Sequence, residues 1–258
     1  MIDPLFDNNL SPIRRFKHGL FLLARAILLP ILRVLIRFQI SGTENVPRSG
    51  GAIVICNHLG WFDPILLDAA CPRPILFMAK EQVMAFPVLR WFARQAGAFP
   101  VKRGTADRKS LQRAQRLVTE GMLVGVYPEG TRSATGALVA GRAGAGLVVV
   151  RSGAMVVPCI MIGNEDLPLS GDRHTRTRTW RWPRVTTHFG EPFSLSVERP
   201  EGGRYRFDEL TDAMMIELAR MLPAEYQGVY ADRAAQSHPA VHRGLTAVRD
   251  ISVPITSS

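Results

Sequence analysis

Short runs of consecutive apolar residues alternate along this chain with segments of helical periodicity. The clearest run is A-I-V-I-C at residues 52–56, and residues 122–127 and 155–162 repeat the pattern. A strand that is apolar at every position is typical of a parallel sheet with both faces buried, because a solvated face would carry polar residues. The alternation therefore predicts an α/β fold, in which helices cover a central, mostly parallel sheet.

The remaining predicted elements fit between these three strands. Asp63 is a good N-cap for a helix over 64–70. Further strands are predicted at 38–41, 75–79, 97–101 and 185–189, and further helices at 84–96, 106–120, 143–151 and 207–222. We expect one α/β domain over residues 41–222, followed by a loosely structured C-terminal tail over 223–258, which has no convincing periodicity.

The N-terminal arm, residues 1–40, has the pattern of an amphipathic helix in a membrane interface, with one apolar stripe and an arginine-rich opposite side. The stripe consists of Phe16, Leu20, Leu23, Ile27, Ile31, Val34 and Phe38, and the arginines are Arg14, Arg15, Arg25, Arg33 and Arg37. The longest uncharged run, 26–32, is far shorter than the ~20 residues that a bilayer-spanning helix needs. The helix should therefore lie flat, kinked or divided at Pro30. Packing of the stripe on the protein's own core is the alternative.

The charge of the chain favours an anionic partner. Lys and Arg number 32 against 22 Asp and Glu, a formal net charge of +10, which suits a nucleic acid, an anionic bilayer or an acidic small molecule. The three cysteines form no C-x-x-C pair, which fits a reducing compartment and predicts no disulfide framework. No zinc-ligand spacing or glycine-rich nucleotide loop is present, so the sequence predicts neither a metal nor a cofactor.

The first group with catalytic chemistry is N-H-L-G-W-F-D at residues 57–63, between a predicted strand and a predicted helix. Ligand sites of α/β folds commonly form at such a junction. If the chain turns at Gly60, the carboxylate of Asp63 can accept a hydrogen bond from one imidazole nitrogen of His58. The other nitrogen is then free to take a proton from an alcohol. The alternative is a loop histidine beside a carboxylate that only caps the helix.

Two further segments carry cations after predicted strands. Lys102 and Arg103 end an extended stretch and can grip a phosphate, although a solvated basic turn has the same composition. In E-G-T-R at residues 129–132, glycine lets the backbone approach a ligand, and Arg132 offers a planar guanidinium that Glu129 can orient. A plain Pro-Glu-Gly turn is the alternative for this segment.

Taken in order, these segments resemble the sequence blocks of the glycerolipid acyltransferase family, which includes the 1-acylglycerol-3-phosphate (lysophosphatidic acid) acyltransferases. The resemblance extends from about residue 42 to residue 163. N-H-L-G-W-F-D matches the His-x4-Asp block, residues 99–104 match the second block, and E-G-T-R-S at 129–133 matches the third. Val157-Pro158, which alone would more often mark an edge strand, matches the fourth.

The resemblance implies a role for each matching residue. His58 would be the general base and Asp63 its partner. The residues that would bind the acceptor are Lys102, Arg103, Glu129, Gly130, Thr131 and Arg132. Lys80 is similar to a position that is often basic in relatives, and Arg142 stands where a lysine is usual.

The turn between His58 and Asp63 departs from the family pattern. Relatives commonly have serine and a polar residue there, whereas this chain has Gly60 and Trp61. The sequence does not identify the donors to the oxyanion of the reaction, for which backbone amides near Gly60 are candidates.

The implied reaction moves a fatty acyl group from acyl-CoA, or from acyl carrier protein, to the free hydroxyl of 1-acyl-glycerol-3-phosphate, giving phosphatidic acid. Another lysophospholipid or a glycolipid acceptor is the alternative within the family. The implied partners are membrane phospholipids, the lysophospholipid acceptor and the acyl thioester donor. The implied location is the cytoplasmic face of the cell membrane, as a peripheral or monotopic protein.

Two rival functions are consistent with parts of the sequence. Cys56 and His58, two positions apart on a strand, would share a face as a hydrolase pair, although a buried inert thiol is usual at the end of an apolar run. A nucleic-acid-binding protein is the non-enzymatic rival. Its basis is the group Arg173, Arg176, Arg178, Arg181 and Arg184 beside Trp180 and Trp182. No nucleic acid is expected under the acyltransferase interpretation.

Overall fold

The computed structural model describes residues 11–80, 99–101, 108–167 and 183–243. The helices are α1 (Ser11–Leu35), α2 (Asp63–Ala70), α3 (Arg108–Thr119), α4 (Ala143–Ser152) and α5 (Phe207–Met221). The strands are β1 (Gln39–Ser41), β2 (Ala52–Cys56), β3 (Ile75–Lys80), β4 (Phe99–Val101), β5 (Leu123–Val126), β6 (Met155–Ile162), β7 (Thr186–Phe189), β8 (Phe193–Leu195) and β9 (Val241–Arg243). Short 3-10 helices lie at Thr43–Asn45, Asn164–Asp166, Ala224–Tyr226 and Gly228–Arg233.

All described strands belong to one sheet with the order β1-β7-β6-β2-β5-β3-β4, and β8 and β9 extend from β6. Strands β6, β2, β5, β3 and β4 run parallel to one another, whereas β7 and β8 run antiparallel to β6. The predicted α/β class with a mostly parallel central sheet is confirmed. Because β2 lies between β5 and β6, the carboxyl ends of these three strands meet at one edge.

Alternate residues of β2 pack on opposite sides of the sheet. Ile53 and Ile55 join a hydrophobic cluster with residues of α3, α4 and α5, whereas Ala52, Val54 and Cys56 join a second cluster with residues of α1 and α2. All five side chains are fully buried. Helices on both faces of the sheet explain why this segment has no polar position.

Most predicted elements lie within two residues of the observed ones, and the predicted helix at 84–96 lies outside the described residues. The expectation that Val157-Pro158 marks an edge strand is wrong, because β6 lies in the interior between β2 and β7. Proline is tolerated there because Pro158 lies between Val156, which pairs with β8, and Cys159, which pairs with β7. The hydrogen-bonding ladder on that side is interrupted at this point.

The prediction of a loosely structured tail is wrong for residues 223–243, here called the C-terminal segment. It forms two 3-10 turns and strand β9, which pairs with β8. Tyr226, Tyr230 and Ala240 are buried in the same cluster as α4 and α5. The 3-10 helices and the three-residue strand are too short to show a period of 3.6 or 2, so the sequence pattern did not reveal them. Residues 244–258 lie outside the described part.

Helix α1 has two apolar faces. Leu28, Leu29 and Leu32, together with Ile36 just after the helix, pack in the cluster that contains α2. The guanidinium of Arg25 turns inward and donates to the carbonyl oxygens of Ala69 and Ala70 at the end of α2, at 3.0 and 3.4 Å. Arg25 lies on the side opposite the predicted apolar stripe, as the sequence indicates, and there it binds carbonyl groups that lack a partner in their own helix.

The apolar stripe predicted from the sequence lies largely on the outer face of α1. Leu23, Ile27, Ile31 and Val34 are exposed by 47–76%, whereas Phe38, beyond the helix, is buried. The alternative that the whole stripe packs on the protein's own core is therefore wrong for these four residues. The helix runs without a break through Pro30, so the proline does not divide it. Within the described ranges, no helix is both long enough and apolar enough to cross a bilayer.

Candidate active site

Three connections meet at the carboxyl edge of the sheet. The histidine loop, residues 57–62, follows β2, and the arginine loop, residues 127–142, follows β5. The asparagine turn, Asn164–Asp166, follows β6. The backbone N–H of Ser133 donates to the carbonyl oxygen of His58 at 2.7 Å, so the histidine and arginine loops are in direct contact. Adjacent parallel strands thus bring residues that are distant in sequence to one place.

The predicted contact between His58 and Asp63 is present. Nδ1 of His58 lies 2.8 Å from Oδ2 of Asp63. The imidazole is 16% exposed, whereas the carboxylate is completely buried. An ionised carboxylate can only accept, so Nδ1 carries the proton and Nε2 is left as the basic nitrogen.

The carboxylate of Asp63 accepts three further hydrogen bonds. The backbone N–H groups of Leu59 and Gly60 donate to Oδ2 at 2.7 and 2.9 Å, and Nδ2 of Asn164 donates to Oδ1 at 2.5 Å. The alternative of a carboxylate that only caps a helix is wrong, because these donors come from the preceding loop and from the turn after β6. The backbone amides of Leu59 and Gly60 already donate to Asp63, so these two amides are not the donors to the oxyanion.

Tyr127 supports the imidazole from one face, a role that no sequence motif indicated. Its ring stacks on His58 with centroids 4.1 Å apart and an interplanar angle of 19°. The ring of Phe77 lies beyond it, with centroids 5.9 Å apart. Burial, followed by the nearby charge of Asp63, raises the pKa of the Tyr127 phenol well above its usual range. The phenol therefore stays neutral beside the base. The feature of the sequence that could have indicated Tyr127 is an aromatic residue directly before P-E-G.

Glu129 joins the two loops through backbone contacts. Its Oε1 accepts the N–H of His58 at 2.9 Å, and its Oε2 accepts the N–H of Val139 at 3.1 Å. Burial raises the pKa of the Glu129 carboxyl from 4.5 to about 7, although both hydrogen bonds act in the opposite direction. Both carboxylate oxygens of Glu129 have backbone donors within the protein. The contact of Glu129 with the acceptor stays a prediction.

Gly130 and Arg142 brace the arginine loop from within. Gly130 has a φ of +65°, and a Cβ there would lie 2.7 Å from Cδ of Arg142. This left-handed backbone angle favours glycine at the position. The Nε of Arg142 donates to the carbonyl oxygen of Glu129 at 3.2 Å, and its backbone N–H donates to that of Pro128 at 2.9 Å. Arg142 therefore shapes the loop.

The C-terminal segment holds the outer part of the arginine loop. The carbonyl oxygen of Tyr226 accepts the N–H of Leu138 at 2.8 Å, and that of Leu138 accepts the N–H of Val229 at 3.2 Å. The hydroxyl of Tyr230 accepts the N–H of Gly141 at 3.1 Å and donates to Oδ1 of Asp212 at 2.8 Å. No sequence motif indicated these contacts, because they join segments about ninety residues apart.

Among the described residues, an aromatic ring and not a carboxylate contacts the guanidinium of Arg132. Its guanidinium carbon lies 4.2 Å from the centroid of the Trp61 ring, a cation–π distance. The guanidinium makes no hydrogen bond or ion pair to any residue that the structure describes. Its planar set of donors is therefore available to an anion. Trp61 is half exposed.

Not every predicted site residue can be placed. Lys102 and Arg103 lie outside the described residues, as do residues 173–182 of the predicted nucleic-acid-binding group. Lys80 is the last residue of β3, at the same edge of the sheet as the histidine loop. Thr131 lies between Gly130 and Arg132 and is half-buried. The acceptor-binding roles of these residues stay predictions.

Cys56 is a poor nucleophile in this environment. Its side chain is completely buried, and burial raises the pKa of the Cys56 thiol well above its usual range. The reactive form of a cysteine is the thiolate, which such a site disfavours. The burial of Cys56 therefore speaks against the hydrolase alternative.

Residues 37–162 match the model of the family described as Acyltransferase. The matched region contains His58, Asp63 and the E-G-T-R segment. This region of the chain is therefore similar to the acyltransferase family. The resemblance predicted from the sequence blocks is confirmed.

Proteins similar to this chain include two 1-acyl-sn-glycerol-3-phosphate acyltransferases. The Bacillus subtilis protein is 33% identical over 96 residues, 37% of this chain and 48% of the relative. The chloroplastic Arabidopsis thaliana protein is 30% identical over 164 residues, 61% of this chain and 44% of the relative. The chain thus spans less than half the length of either relative. The crystal structure of the 1-acyl-sn-glycerophosphate (LPA) acyltransferase PlsC from Thermotoga maritima aligns with a TM-score of 0.48 and 21% identity, over 73% of this chain and 77% of that one.

Proposed function

We propose that the protein transfers a fatty acyl group from acyl-CoA, or from acyl carrier protein, to the free hydroxyl of 1-acyl-glycerol-3-phosphate, giving phosphatidic acid. The observation that carries the proposal is an imidazole with a fixed tautomer beside an arginine with unused donors. Nδ1 of His58 is bonded to Asp63 at 2.8 Å, which leaves Nε2 basic. Arg132, one residue from the loop contact between Ser133 and His58, offers its donors to a phosphate.

In the proposed reaction, Arg132 holds the phosphate of the acceptor while Nε2 of His58 takes the proton of its hydroxyl. The hydroxyl oxygen forms a bond to the thioester carbonyl carbon, giving a tetrahedral intermediate. The C–S bond then breaks, and His58 returns the proton to the departing thiolate. Direct transfer needs no acyl-enzyme, because the base and the bound acceptor supply activation and proximity.

The test is to supply the purified protein with labelled long-chain acyl-CoA or acyl carrier protein and a panel of acceptors. The panel contains 1-acyl-glycerol-3-phosphate, other lysophospholipids, a glycolipid and glycerol 3-phosphate, with the His58→Ala variant as the blank. We expect labelled phosphatidic acid. A product from another lysolipid would select the alternative acceptor, and hydrolysis without transfer would refute the proposal.

We also propose that α1 docks the protein on an anionic bilayer at the cytoplasmic face of the membrane. The outer face of the helix exposes Leu23, Ile27, Ile31 and Val34, while its inner face is anchored to α2. An exposed apolar stripe with Arg33 beside it suits the boundary between acyl chains and phosphate headgroups. Trp61 at the site is exposed as well, by 50%, which suits an acceptor presented from the bilayer.

Vesicle sedimentation tests this docking. Replacing Ile27 and Val34 together with serine should reduce binding to vesicles of phosphatidylcholine and phosphatidylglycerol by about tenfold or more, because burying each side chain contributes over 1 kcal/mol. Val229→Ser is the matched control, since Val229 is 65% exposed but lies in the C-terminal segment. Equal losses in the two variants would contradict the assignment to α1. Binding to single-stranded nucleic acid as strong as to vesicles would favour the nucleic-acid alternative.

A further inference from the structure

The turn after β6 brings a buried asparagine behind the His58–Asp63 pair. Asn164 is 1% exposed, and its Nδ2 donates to Oδ1 of Asp63 at 2.5 Å. The other carboxylate oxygen, Oδ2, is the one that accepts from His58 and from the backbone of the histidine loop. Asn164 is therefore the partner of the oxygen that the histidine loop leaves open.

The chemistry of the two groups fixes the direction of this hydrogen bond. A carboxylate only accepts, so the amide nitrogen of Asn164, and not its oxygen, faces Asp63. The amide oxygen is buried and has no hydrogen-bond partner in the described part of the chain. A buried polar atom without a partner lowers stability. The amide oxygen of Asn164 therefore contributes nothing to stability here. What the side chain contributes is the hydrogen bond that its Nδ2 donates to Asp63.

Two features deliver Asn164 to this place. Gly163 has a φ of +82°, and a Cβ there would lie 2.0 Å from the carbonyl oxygen of Arg184, so the sharp turn after β6 requires glycine. Beyond Asn164, Oε1 of Glu165 accepts the hydroxyl hydrogen of Tyr226 at 2.5 Å, which ties the turn to the C-terminal segment. The donor is thus held from both sides.

We propose that Asn164 is a positioning residue for the acyl transfer, which orients the carboxylate of Asp63 and thereby keeps Nε2 of His58 directed at the acceptor. The inference rests on the proposed function, because it gives Asn164 a part in proton removal by His58. Asn164 and Asp63 are both buried, so neither can contact the substrates. Loss of the Asn164 side chain should lower the turnover rate without weakening substrate binding.

The first test compares Asn164→Ala with Asn45→Ala. Both asparagines donate one side-chain hydrogen bond, but Asn45 donates to the carbonyl oxygen of Phe189 away from the site. We expect Asn164→Ala to lower kcat by about 10- to 100-fold. The KM for the acyl donor and the KM for the acceptor should each change by about twofold at most. Asn45→Ala should keep its kcat. A normal kcat in Asn164→Ala, or equal losses in both variants, would overturn the proposal.

The isosteric Asn164→Asp variant adds a readout that a purely structural role would not change. Two carboxyls in contact cannot both ionise easily, so at lower pH they share one proton, which restores a donor between them. Relative to the unaltered protein, activity should be retained at lower pH and lost as the shared proton dissociates, while the circular dichroism spectrum stays native. A pH-independent activity ratio would count against the proposal. This variant decides the matter if Asn164→Ala does not fold.

A measurement without turnover separates this inference from the proposed function. In protein labelled with nitrogen-15 histidine, and assigned with the His58→Gln variant, NMR reports which ring nitrogen carries the proton. We expect the Nδ1–H form of His58 in the unaltered protein and a mixture of tautomers in Asn164→Ala. An unchanged tautomer would overturn the positioning role. A protein that shows the expected tautomers but acylates no acceptor would refute only the proposed function.

Discussion

The histidine loop and the arginine loop lie side by side, but different contacts hold them. Asp63 fixes the histidine loop through His58, Leu59 and Gly60, which are at most five residues away. The arginine loop is fixed from a distance, by the backbone of His58, by Tyr226 and by Tyr230. The difference teaches that the base is positioned mainly by local sequence, whereas the anion-binding loop depends on the rest of the fold.

The largest effect should follow from removing the base. His58→Ala should lower kcat by about two to four orders of magnitude if His58 takes the proton of the acceptor. His242→Ala is the control, because His242 is exposed on β9. Steady-state rates with acyl-CoA and 1-acyl-glycerol-3-phosphate measure the effect. Near-normal turnover by His58→Ala would show that His58 is not the base of the reaction.

The pH dependence of stability tests the structural side of the comparison. Burial raises the pKa of Glu129 and of Asp68 to about 7 in the folded protein. The folded state then binds more protons than the unfolded state between about pH 4.5 and pH 7, so the free energy of unfolding should fall as pH rises through that window. Each carboxyl should contribute up to about 3 kcal/mol of this fall.

Urea unfolding at several pH values measures that slope. Glu129→Gln removes one titrating group and should flatten the slope, and Asp68→Asn, in α2 and away from the arginine loop, should flatten it by a similar amount. Activity distinguishes the two variants, because only Glu129 joins the histidine loop to the arginine loop. Stability that rises over this pH range would contradict the burial argument for both carboxyls.

Removing the free guanidinium should affect binding more than turnover. Arg132→Ala should raise the KM for the acceptor by about 10- to 100-fold, because a hydrogen bond to a charged group contributes about 1.5–3 kcal/mol. The KM for the acyl donor should stay nearly unchanged. Arg151→Ala, an exposed arginine at the end of α4, is the control. An effect on the KM for the thioester donor alone would show that Arg132 binds the donor and not the acceptor, which would contradict the proposal.

The smallest effect should come from the ring under Arg132. A half-exposed cation–π contact contributes about 0.5–1 kcal/mol, so Trp61→Leu should raise the KM for the acceptor by about two- to fivefold. Trp61→Phe keeps a ring and should recover most of the affinity. The measurement is the acceptor KM of both variants. Equal KM values for the leucine and phenylalanine variants would mean that the stacking does not orient Arg132.

Residue type and order predicted part of this site. The turn at Gly60 and the pairing of His58 with Asp63 follow from residues that are close in sequence. Tyr127 and Asn164 were missed, because each acts through a contact with another strand's loop. The C-terminal segment was predicted to be loose for a related reason. Its short turns are ordered by burial against α5 and the arginine loop, and not by their own periodicity.

The sequence by itself determined the α/β class, the buried parallel strands, the acyltransferase resemblance and the amphipathic pattern of α1, whereas the structure showed that its apolar stripe faces outward. The features that the sequence determined arise from local periodicity and from the spacing of residues within short motifs. Only the tertiary structure decided which donors complete Asp63, what holds Glu129 and Arg132, and that β6 is an interior strand. Such contacts join segments up to about a hundred residues apart, and strand order, which local pattern does not specify, brings them together.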